Sequence, residues 1–235
     1  MPMRYIGIIL TYIVAQLSGI PIASWLQTQN ITESQYMNFV LGWQVASFVL
    51  ALIITLLLLK PEKQLPRDPN RASLTMTIIW SILGFFMVMF GQMIVNLIQM
   101  LLFNIDEQSQ NTENLMGVAR VFPIFIVVIA IIGPILEEII FRKIIFGELY
   151  KRTNFLVAGV ISGLIFAVIH NDFTHLLVYF MMSFVFAFIY VETKRIIVPI
   201  IAHMLMNTFV VIAQLVILPQ LEQTTTYVQM ILIGG

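Results

Sequence analysis

Long apolar runs separated by short polar connections dominate this chain. A helix needs about 20 apolar residues to cross the hydrocarbon core of a membrane. Runs of that size predict helices at roughly 5–26, 38–59, 74–103, 116–149, 154–170, 175–191 and 196–218. The pattern therefore predicts an all-α fold, a polytopic transmembrane bundle of about seven spans.

The run at 116–149 is too long for one straight crossing. Gly133-Pro134 in its middle predicts a kink, because Pro134 lacks the N–H that would bond the carbonyl of Ala130. The stretch from Tyr227 to Ile233 near the end of the chain is too short to span.

Composition supports a membrane protein and excludes several other classes. Of the 235 residues, 60% are hydrophobic and 10% are charged, whereas a soluble domain has about 25% charged residues. Twelve basic and twelve acidic residues give no net charge, which argues against nucleic acid as a partner. Because the chain has no cysteine, a disulfide, a thiol nucleophile and a Cys-ligated metal are excluded. The first apolar run shows no cleavage site, so we expect it to be retained as a span.

Basic residues in the connections orient the bundle. They are Arg4 before the first span, then Lys60, Lys63, Arg67 and Arg71, then Lys151 and Arg152, then Lys194 and Arg195. The connections 27–37, 104–115 and 171–174 and the segment after 218 contain no Lys or Arg. The positive-inside rule then places the N-terminus in the cytoplasm and the C-terminus outside. The absence of eukaryotic sorting signals favours a bacterial plasma membrane.

Polar residues concentrate in the second half of the chain, which suggests three regions. Helices without a catalytic pattern occupy 1–115, a candidate catalytic core occupies 116–218, and a short tail occupies 219–235. The core contains the charges that are most costly to insert. A charged side chain at bilayer depth costs at least about 2.5–3.5 kcal/mol, so such residues are usually paired and functional.

The first polar pattern is Glu137-Glu138-x-x-x-Arg142. Residues four apart share a helical face, so Glu138 and Arg142 are expected to pair. Glu137 points elsewhere and has no partner within one turn. One carboxylate is therefore neutralised, and its neighbour is left available for chemistry.

Two histidine patterns follow, Phe166-x-x-x-His170 and His203-x-x-x-Asn207. A single membrane histidine is more typical of helix packing than of catalysis. Together with a glutamate and a supported ion pair, however, two histidines and an asparagine can activate water and stabilise an oxyanion.

Helical rise gives a rough test of whether these residues can meet. At 1.5 Å per residue, Glu137 lies about 21 Å from Lys151 and His203 about 12 Å from Arg195. Both depths fall within a hydrocarbon core of about 30 Å. The estimated depths still differ by about 10 Å, a mismatch that Pro199 explains only in part.

The three patterns, in this order on separate helices, resemble the CPBP intramembrane proteases, the CAAX prenyl endopeptidase and bacteriocin-processing group also called Abi. That family is marked by EExxxR, FxxxH and HxxxN motifs. The resemblance covers residues 118–212, about 40% of the chain. Each motif alone is short, but three in the right order within a polytopic protein are a specific signal.

The resemblance implies an intramembrane glutamic endopeptidase that needs no cofactor. Glu137 and His170 would hold and deprotonate the attacking water, and His203 and Asn207 would stabilise the oxyanion. The pair Glu138 and Arg142 would position the helix that carries Glu137. The implied substrate is a membrane-associated peptide of the prenylated or leader type.

Other functions stay open at this stage. Glu137, His170 and His203 could instead hold a catalytic zinc. The family name also covers bacteriocin self-immunity, so the chain could act by binding, as an immunity or scaffold protein. A transporter is less favoured because no inverted repeat or paired half-helices are present. The chain has no H-E-x-x-H and no G-x-S-x-G motif.

Three further sets of residues invite a functional interpretation. We interpret His175 as a hydrated interfacial residue. The spacing of Gly159 and Gly163 favours close packing within the bundle over contact in a homodimer. The third span contains Gln92, Asn96 and Gln99, which are expected to bond between helices or to line a substrate path.

Overall fold

The computed structural model describes residues 1–64, 68–105 and 109–221, and all regular structure within these ranges is helical. The helices are α1 (Met3–Leu17), α2 (Gly19–Leu26), α3 (Glu33–Leu59), α4 (Leu74–Phe103), α5 (Gln110–Val121), α6 (Pro123–Tyr150), α7 (Phe155–Ile169), α8 (Leu176–Thr193) and α9 (Ile197–Leu221). The predicted all-α class is confirmed. The predicted tail after 218 is described only as far as Leu221, which still belongs to α9; its remainder, with the segment from Tyr227 to Ile233, lies outside the described residues.

Six of the predicted spans are long and apolar enough to cross a membrane. They are α1 with α2, α3 with the turn that follows it, α4, α6, α8 and α9. The seventh, α7, has 15 residues and is shorter than a full crossing. It ends at Ile169, and two residues later Asn171 adopts a left-handed backbone with φ of 52°.

The prediction of one helix over 116–149 is wrong at its start. A separate helix, α5, ends at Val121, and α6 begins at Pro123. Phe122 between them has φ of −133° and ψ of 78°. The proline ring disfavours the helical region for the residue before it, so the helix is interrupted at Phe122.

Within α6 the hydrogen-bond register changes on both sides of Gly133-Pro134. Val128–Ile132 and Glu138–Phe146 are π-helical, and the turn Gly133–Glu137 between them is α-helical. The N–H of Gly133 bonds the carbonyl of Val128, five residues back. Pro134 follows at the first turn of the α-helical segment, where its missing donor is tolerated. Such π-turns are frequent at functional sites.

Helix α6 is the central element of the bundle. In the most apolar stretch of 18 residues of α6, 67% of the residues are buried, compared with at most 44% in the same stretch of any other span. Helix α4 packs against α8 and α9, α7 packs against α8, and α1 packs against α3. The outward faces of α4 and α1 carry large exposed apolar side chains, as expected for surfaces in contact with lipid.

The basic segments share one end of the bundle. Glu62, in the turn after α3, lies 3.2 Å from Arg4 Nε and 2.6 Å from Lys143 Nζ. In the same connection, Asp68 Oδ2 lies 3.3 Å from Lys194 Nζ. These contacts hold the N-terminus, the connection 60–73, the end of α6 and the turn before α9 together. We refer to this side of the molecule as the basic end.

The opposite end contains the connections 27–32 and 171–175 and helix α5. Because α5 is a separate helix, Arg120 near its end also lies here and not inside a membrane span, as the predicted helix over 116–149 implied. The glycine pair is used within the bundle: a Cβ atom would lie 3.1 Å from Phe184 at Gly159 and 3.1 Å from Phe180 at Gly163. Helices α7 and α8 therefore pack closely, as predicted.

Candidate active site

Three helices bring the motif residues to one cavity of about 910 Å³. Helix α6 supplies the glutamates and the arginine, the end of α7 supplies the first histidine, and α9 supplies the second histidine and the asparagine. Four of the six candidate residues line the cavity wall: Glu137, His170, His203 and Asn207. The remaining two, Glu138 and Arg142, are fully buried beneath it.

Glu138 links two helices through its two oxygen atoms. Its Oε2 lies 3.2 Å from Arg142 Nε, one turn further along α6. Its Oε1 lies 2.8 Å from His203 Nδ1 on α9. The spacing of four predicted the first contact, and nothing in the sequence pattern predicted the second. Because a carboxylate oxygen can only accept, His203 donates from Nδ1 and turns Nε2 toward the cavity.

Arg142 is held by charge and by aromatic rings. Its guanidinium carbon lies 4.2 Å from the ring centre of Phe166 and 5.1 Å from that of Phe186. Its nitrogens have no hydrogen-bond partner within the described part of the chain, so the 3.2 Å contact with Glu138 is an ion pair without hydrogen-bond alignment. A buried cation over aromatic faces gains about 2 kcal/mol from cation–π attraction. Phe166 of the second motif therefore contributes directly to the charged layer.

Glu137 faces His203 across a short gap. Its Oε2 lies 3.8 Å from His203 Nε2, within ion-pair range but beyond the 2.7–3.2 Å of a direct hydrogen bond. Unlike the fully buried Glu138, its side chain remains 17% exposed. The expectation that Glu137 has no partner within its own turn holds, but α9 supplies one from another helix. Both facing atoms keep hydrogen-bonding capacity for a third group.

His170 has a defined tautomer when neutral. Its Nδ1 lies 2.7 Å from the backbone carbonyl of Phe166, which can only accept, so Nδ1 carries the proton and Nε2 carries the lone pair. The imidazole ring stacks on Tyr179 with centroids 4.2 Å apart and planes 23° apart. These contacts on two sides fix the ring at the cavity wall.

Asn207 lies one turn after His203 and also joins two helices. Its Nδ2 donates to the carbonyl of Ile129 at 2.8 Å. Ile129 belongs to the first π-helical turn of α6. One amide hydrogen thus makes a bond between helices, and the second remains available at the cavity.

The contact between α6 and α9 corrects the depth estimated from the sequence. The hydrated layer at the basic end begins at Lys143, which reaches Glu62 at 2.6 Å, and not at Lys151. Counted from Lys143, Glu137 lies about 9 Å deep, close to the 12 Å or so from Arg195 to His203. The apparent mismatch of about 10 Å came from the choice of reference residue.

A polar network closes the wall near α5. Ser109 Oγ donates to Asp172 Oδ2 at 2.7 Å and lies 3.0 Å from the hydroxyl of Tyr179. Asn111 Nδ2 donates to the same hydroxyl at 3.2 Å. Partial burial favours a higher pKa for Asp172, but the hydrogen bonds from Ser109 and His175 outweigh it and lower that pKa below its usual value. Asp172 is therefore ionised at neutral pH.

His175 is buried, contrary to our interpretation of it as a hydrated residue. Its Nδ1 lies 3.1 Å from Asp172 Oδ1, and the ring forms part of the cavity wall. The loop that carries His175 packs against the end of α4, where Gln99 donates to the carbonyl of Thr174 at 2.6 Å, and against the start of α5, where Ser109 donates to Asp172 at 2.7 Å. The separate helix α5 was not predicted, so this cover could not be anticipated.

The polar residues of α4 fit both interpretations offered for them. Gln92 Nε2 lies 3.0 Å from Met182 Sδ on α8 and also lines the cavity. Gln99 bonds the loop before α8, as described above, and Asn96 lines the cavity. These side chains therefore join helices and form the path at the same time.

A catalytic zinc needs three nitrogen, oxygen or sulfur ligands that converge on one point. Within the described residues, no three His, Cys, Asp or Glu side chains converge closely enough to hold a metal ion. His203 directs Nδ1 to Glu138 and His170 directs Nδ1 to Phe166. The arrangement is instead that of a partly exposed carboxylate beside two imidazoles, which suits proton transfer to and from water.

Several contributors carried no recognisable signal in the sequence. Tyr179 and Phe186 are two of many aromatic residues in an apolar helix, and Ser109 precedes a helix that was not predicted. Asp172 and His175 were visible as polar residues three apart in a loop. Their partners came from distant segments, so the network could not be assembled from spacing.

Comparisons with known proteins agree with this architecture. A family model described as "Type II CAAX prenyl endopeptidase Rce1-like" matches residues 119–209, which include every candidate residue. The chain is 44% identical to the "Putative membrane peptidase YdiL" of Bacillus subtilis (strain 168), covering 99% of this chain and 98% of that protein. It is 38% identical to the "Membrane-embedded CAAX protease MroQ" of Staphylococcus aureus (strain USA300), covering 92% of this chain and 91% of that protein.

No solved structure matches the chain. The two relatives extend over nearly its full length, so the likeness includes the helices that carry no motif as well as the motif core. Both are named as membrane proteases or peptidases, and the family model covers the helices that meet at the cavity. The chain therefore belongs to the CPBP family of membrane peptidases.

Proposed function

We propose that this membrane peptidase hydrolyses an internal peptide bond with a water molecule activated by Glu137. The observation that supports this most directly is the contrast between adjacent carboxylates. Glu138 is fully buried, with one oxygen on Arg142 and the other on His203. Glu137 faces the cavity with its nearest described cation 3.8 Å away. Of the two, only Glu137 is free to accept a proton from water.

In the proposed reaction, the water oxygen attacks the carbonyl carbon while one of its protons passes to Glu137. His170 accepts a hydrogen bond from the same water through the lone pair on Nε2 and so orients it. The C–N bond then breaks as the proton moves from Glu137 to the leaving nitrogen. The second water proton stays on the new carboxyl group and is lost to solvent as that group ionises. The products are a carboxylate and an amine, and Glu137 returns to its ionised form.

His203 and Asn207 would stabilise the oxyanion. Since His203 Nδ1 already donates to Glu138, donation from Nε2 requires the imidazolium form. That form balances the buried charge: Arg142 and His203 carry two positive charges, and Glu137 and Glu138 carry two negative charges. The second amide hydrogen of Asn207 would complete the pair of donors.

Asn207→Ala is expected to lower kcat by about 10²–10³ with little change in KM, because an oxyanion donor acts mainly in the transition state. Loss of the bond to Ile129 should also lower stability by about 1 kcal/mol. The measurement is kcat per correctly folded molecule. Asn207→Asp, which keeps the size but places a negative charge beside the oxyanion, should be at least as damaging. A folded Asn207→Ala protein with the parent kcat would assign Asn207 to helix packing alone.

Glutamate chemistry also predicts insensitivity to chelators. If Glu137 and His170 activate the water without a metal, exhaustive chelation should leave the rate unchanged, and elemental analysis should find less than one zinc per chain. Stoichiometric zinc that is lost together with activity, and whose return restores it, would establish the zinc variant of the site instead.

The cellular test compares membrane proteomes of cells that carry the parent protein, Glu137→Gln or Glu192→Gln. Glu192 is exposed at the basic end of α8, so its substitution is a matched control for the loss of one carboxylate. We expect a precursor peptide to accumulate only with Glu137→Gln. A cellular phenotype retained in Glu137→Gln, with no accumulated precursor, would favour an immunity or scaffold role through binding.

We also propose the orientation that the charges imply. Of the twelve basic residues, Arg120 lies at the end away from the basic end and Arg142 is buried in the core. The other nine that the structure describes belong to segments of the basic end. The positive-inside rule places that end in the cytoplasm, so that α9 ends at the outer side of the membrane.

A further inference from the structure

The cavity occupies the half of the bundle that is remote from the basic end. Helix α4 begins at the basic end, and its C-terminal part, 92–100, lines the cavity. Helix α8 begins at the opposite end, and its N-terminal part, 178–182, lines the cavity. Helix α9 likewise lines it from His203 to Gln214. At the far end the wall includes Ile105, Ser109, Asn111, Thr112 and His175. The cavity therefore runs from the motif residues toward α5.

A charged and aromatic layer separates the cavity from the basic end. Glu138, Arg142, Phe166 and Phe186 are all 0% exposed and lie on the basic side of the cavity. Beyond them come buried apolar residues of α6 and then the surface contact of Lys143 with Glu62. Among the described cavity-lining residues, none belongs to the basic segments. This layer therefore blocks access of water and peptide to the cavity from the basic end.

The side chains of the wall indicate what kind of segment enters. Eight carboxamides line the described cavity: Gln16, Gln44, Gln92, Asn96, Gln99, Asn111, Asn207 and Gln214. Carboxamides both donate and accept, which suits the N–H and C=O groups of an extended backbone. The described lining contains no Lys or Arg, and its one carboxylate is Glu137. A negatively charged segment, such as a free C-terminal carboxylate, would find no Lys or Arg there, and the proposed imidazolium of His203 already faces Glu137.

We propose that substrate and water reach Glu137 from the extracytoplasmic side. The substrate class is an extended stretch, without negative charge, of a peptide or membrane protein on the outer face of the membrane, cut at an internal bond. This proposal rests on the proposed function for the chemistry and on the charge distribution for the side. It adds to them the direction of access and the character of the segment.

The cysteine-free sequence permits a direct test by single-cysteine labelling. Thr112→Cys and Gln92→Cys would place a thiol at the outer wall and deep in the cavity. Asn70→Cys and Arg152→Cys, at exposed positions of the basic end, are the controls. Each variant is treated with a small membrane-impermeant maleimide in right-side-out and in inside-out bacterial membrane vesicles.

We expect Thr112→Cys and Gln92→Cys to react in right-side-out vesicles and Asn70→Cys and Arg152→Cys to react in inside-out vesicles. Reaction of Gln92→Cys from the cytoplasmic side, or from neither side, would overturn the proposal, as would labelling of all four positions from both sides. The labelling needs no hydrolysis, so repeating it with Glu137→Gln separates the access route from the catalytic proposal. An active Glu137→Gln protein with the expected labelling would reject the chemistry and keep the route.

Precursors that accumulate in cells with Glu137→Gln supply the substrate test. Their cleaved bonds should lie in extracytoplasmic segments that have no Asp or Glu beside the bond. Bonds located mainly in cytoplasmic segments would contradict the proposed side.

Discussion

Glu137→Gln is expected to lower kcat by about 10²–10⁴, the usual contribution of a general base, while the protein stays folded and inserted. An amide of the same shape cannot take a proton from water. The 17% exposed side chain of Glu137 makes one ion-pair contact, at 3.8 Å from His203, so its neutralisation should change the melting temperature in detergent very little. The measurement is the steady-state rate of purified protein on a peptide taken from the accumulated precursor.

Two controls make this result specific. Glu192→Gln removes an exposed carboxylate far from the cavity and should keep the parent rate. Glu137→Asp keeps the charge but shortens the side chain by one methylene, so partial activity is expected if position limits proton transfer. Parent-level turnover by purified Glu137→Gln would remove Glu137 from the catalytic role and direct attention to His203 as the base.

Features that depend on local sequence could be predicted well. The apolar runs located the spans because a helix in lipid must be apolar over a fixed length. The spacing of four placed Glu138 beside Arg142, now seen at 3.2 Å. The basic connections were predicted to share one end of the bundle because each span takes the chain to the opposite side of the membrane. These results need only helical periodicity and the thickness of a bilayer.

Features that depend on contacts between distant helices could not be predicted. The bond from His203 to Glu138 joins residues 65 positions apart, and helical periodicity carries no information on it. Pro123 was a signal for the helix break at Phe122. The apolar run that follows Pro123 nevertheless made the whole of 116–149 resemble one helix. The depth estimate failed because Lys143 reaches the surface through Glu62, and only the fold shows where the hydrated layer begins.

The buried pair of Glu138 and Arg142 beneath the cavity is expected to affect stability more than chemistry. Burying an ion pair is costly, and the cost is offset only while both partners remain. Arg142 has Glu138 as its ion-pair partner and two aromatic rings at 4.2 and 5.1 Å. Removing the carboxylate would leave a cation in a fully enclosed site.

Glu138→Gln is therefore expected to lower the free energy of unfolding by about 3–5 kcal/mol. Glutamine still offers an oxygen to His203 Nδ1, so most of this loss should come from the uncompensated charge of Arg142. Activity should fall as well, because His203 would lose the charge-assisted hydrogen bond that holds its imidazole at the cavity. Thermal unfolding in detergent measures the first effect, and kcat per folded molecule measures the second.

Two further variants test this explanation of the loss. Glu148→Gln breaks a pair with Lys151 at the protein surface and should cost at most about 1 kcal/mol. In the double variant Glu138→Gln with Arg142→Met, the buried charge is absent, so the double variant should be more stable than Glu138→Gln alone. Two outcomes would contradict this explanation: a melting temperature of Glu138→Gln equal to that of the parent protein, or no gain in stability when Arg142→Met is added. Either would show that buried Arg142 does not need Glu138 to compensate its charge. The pair would then have no role in holding α6 in place beneath Glu137.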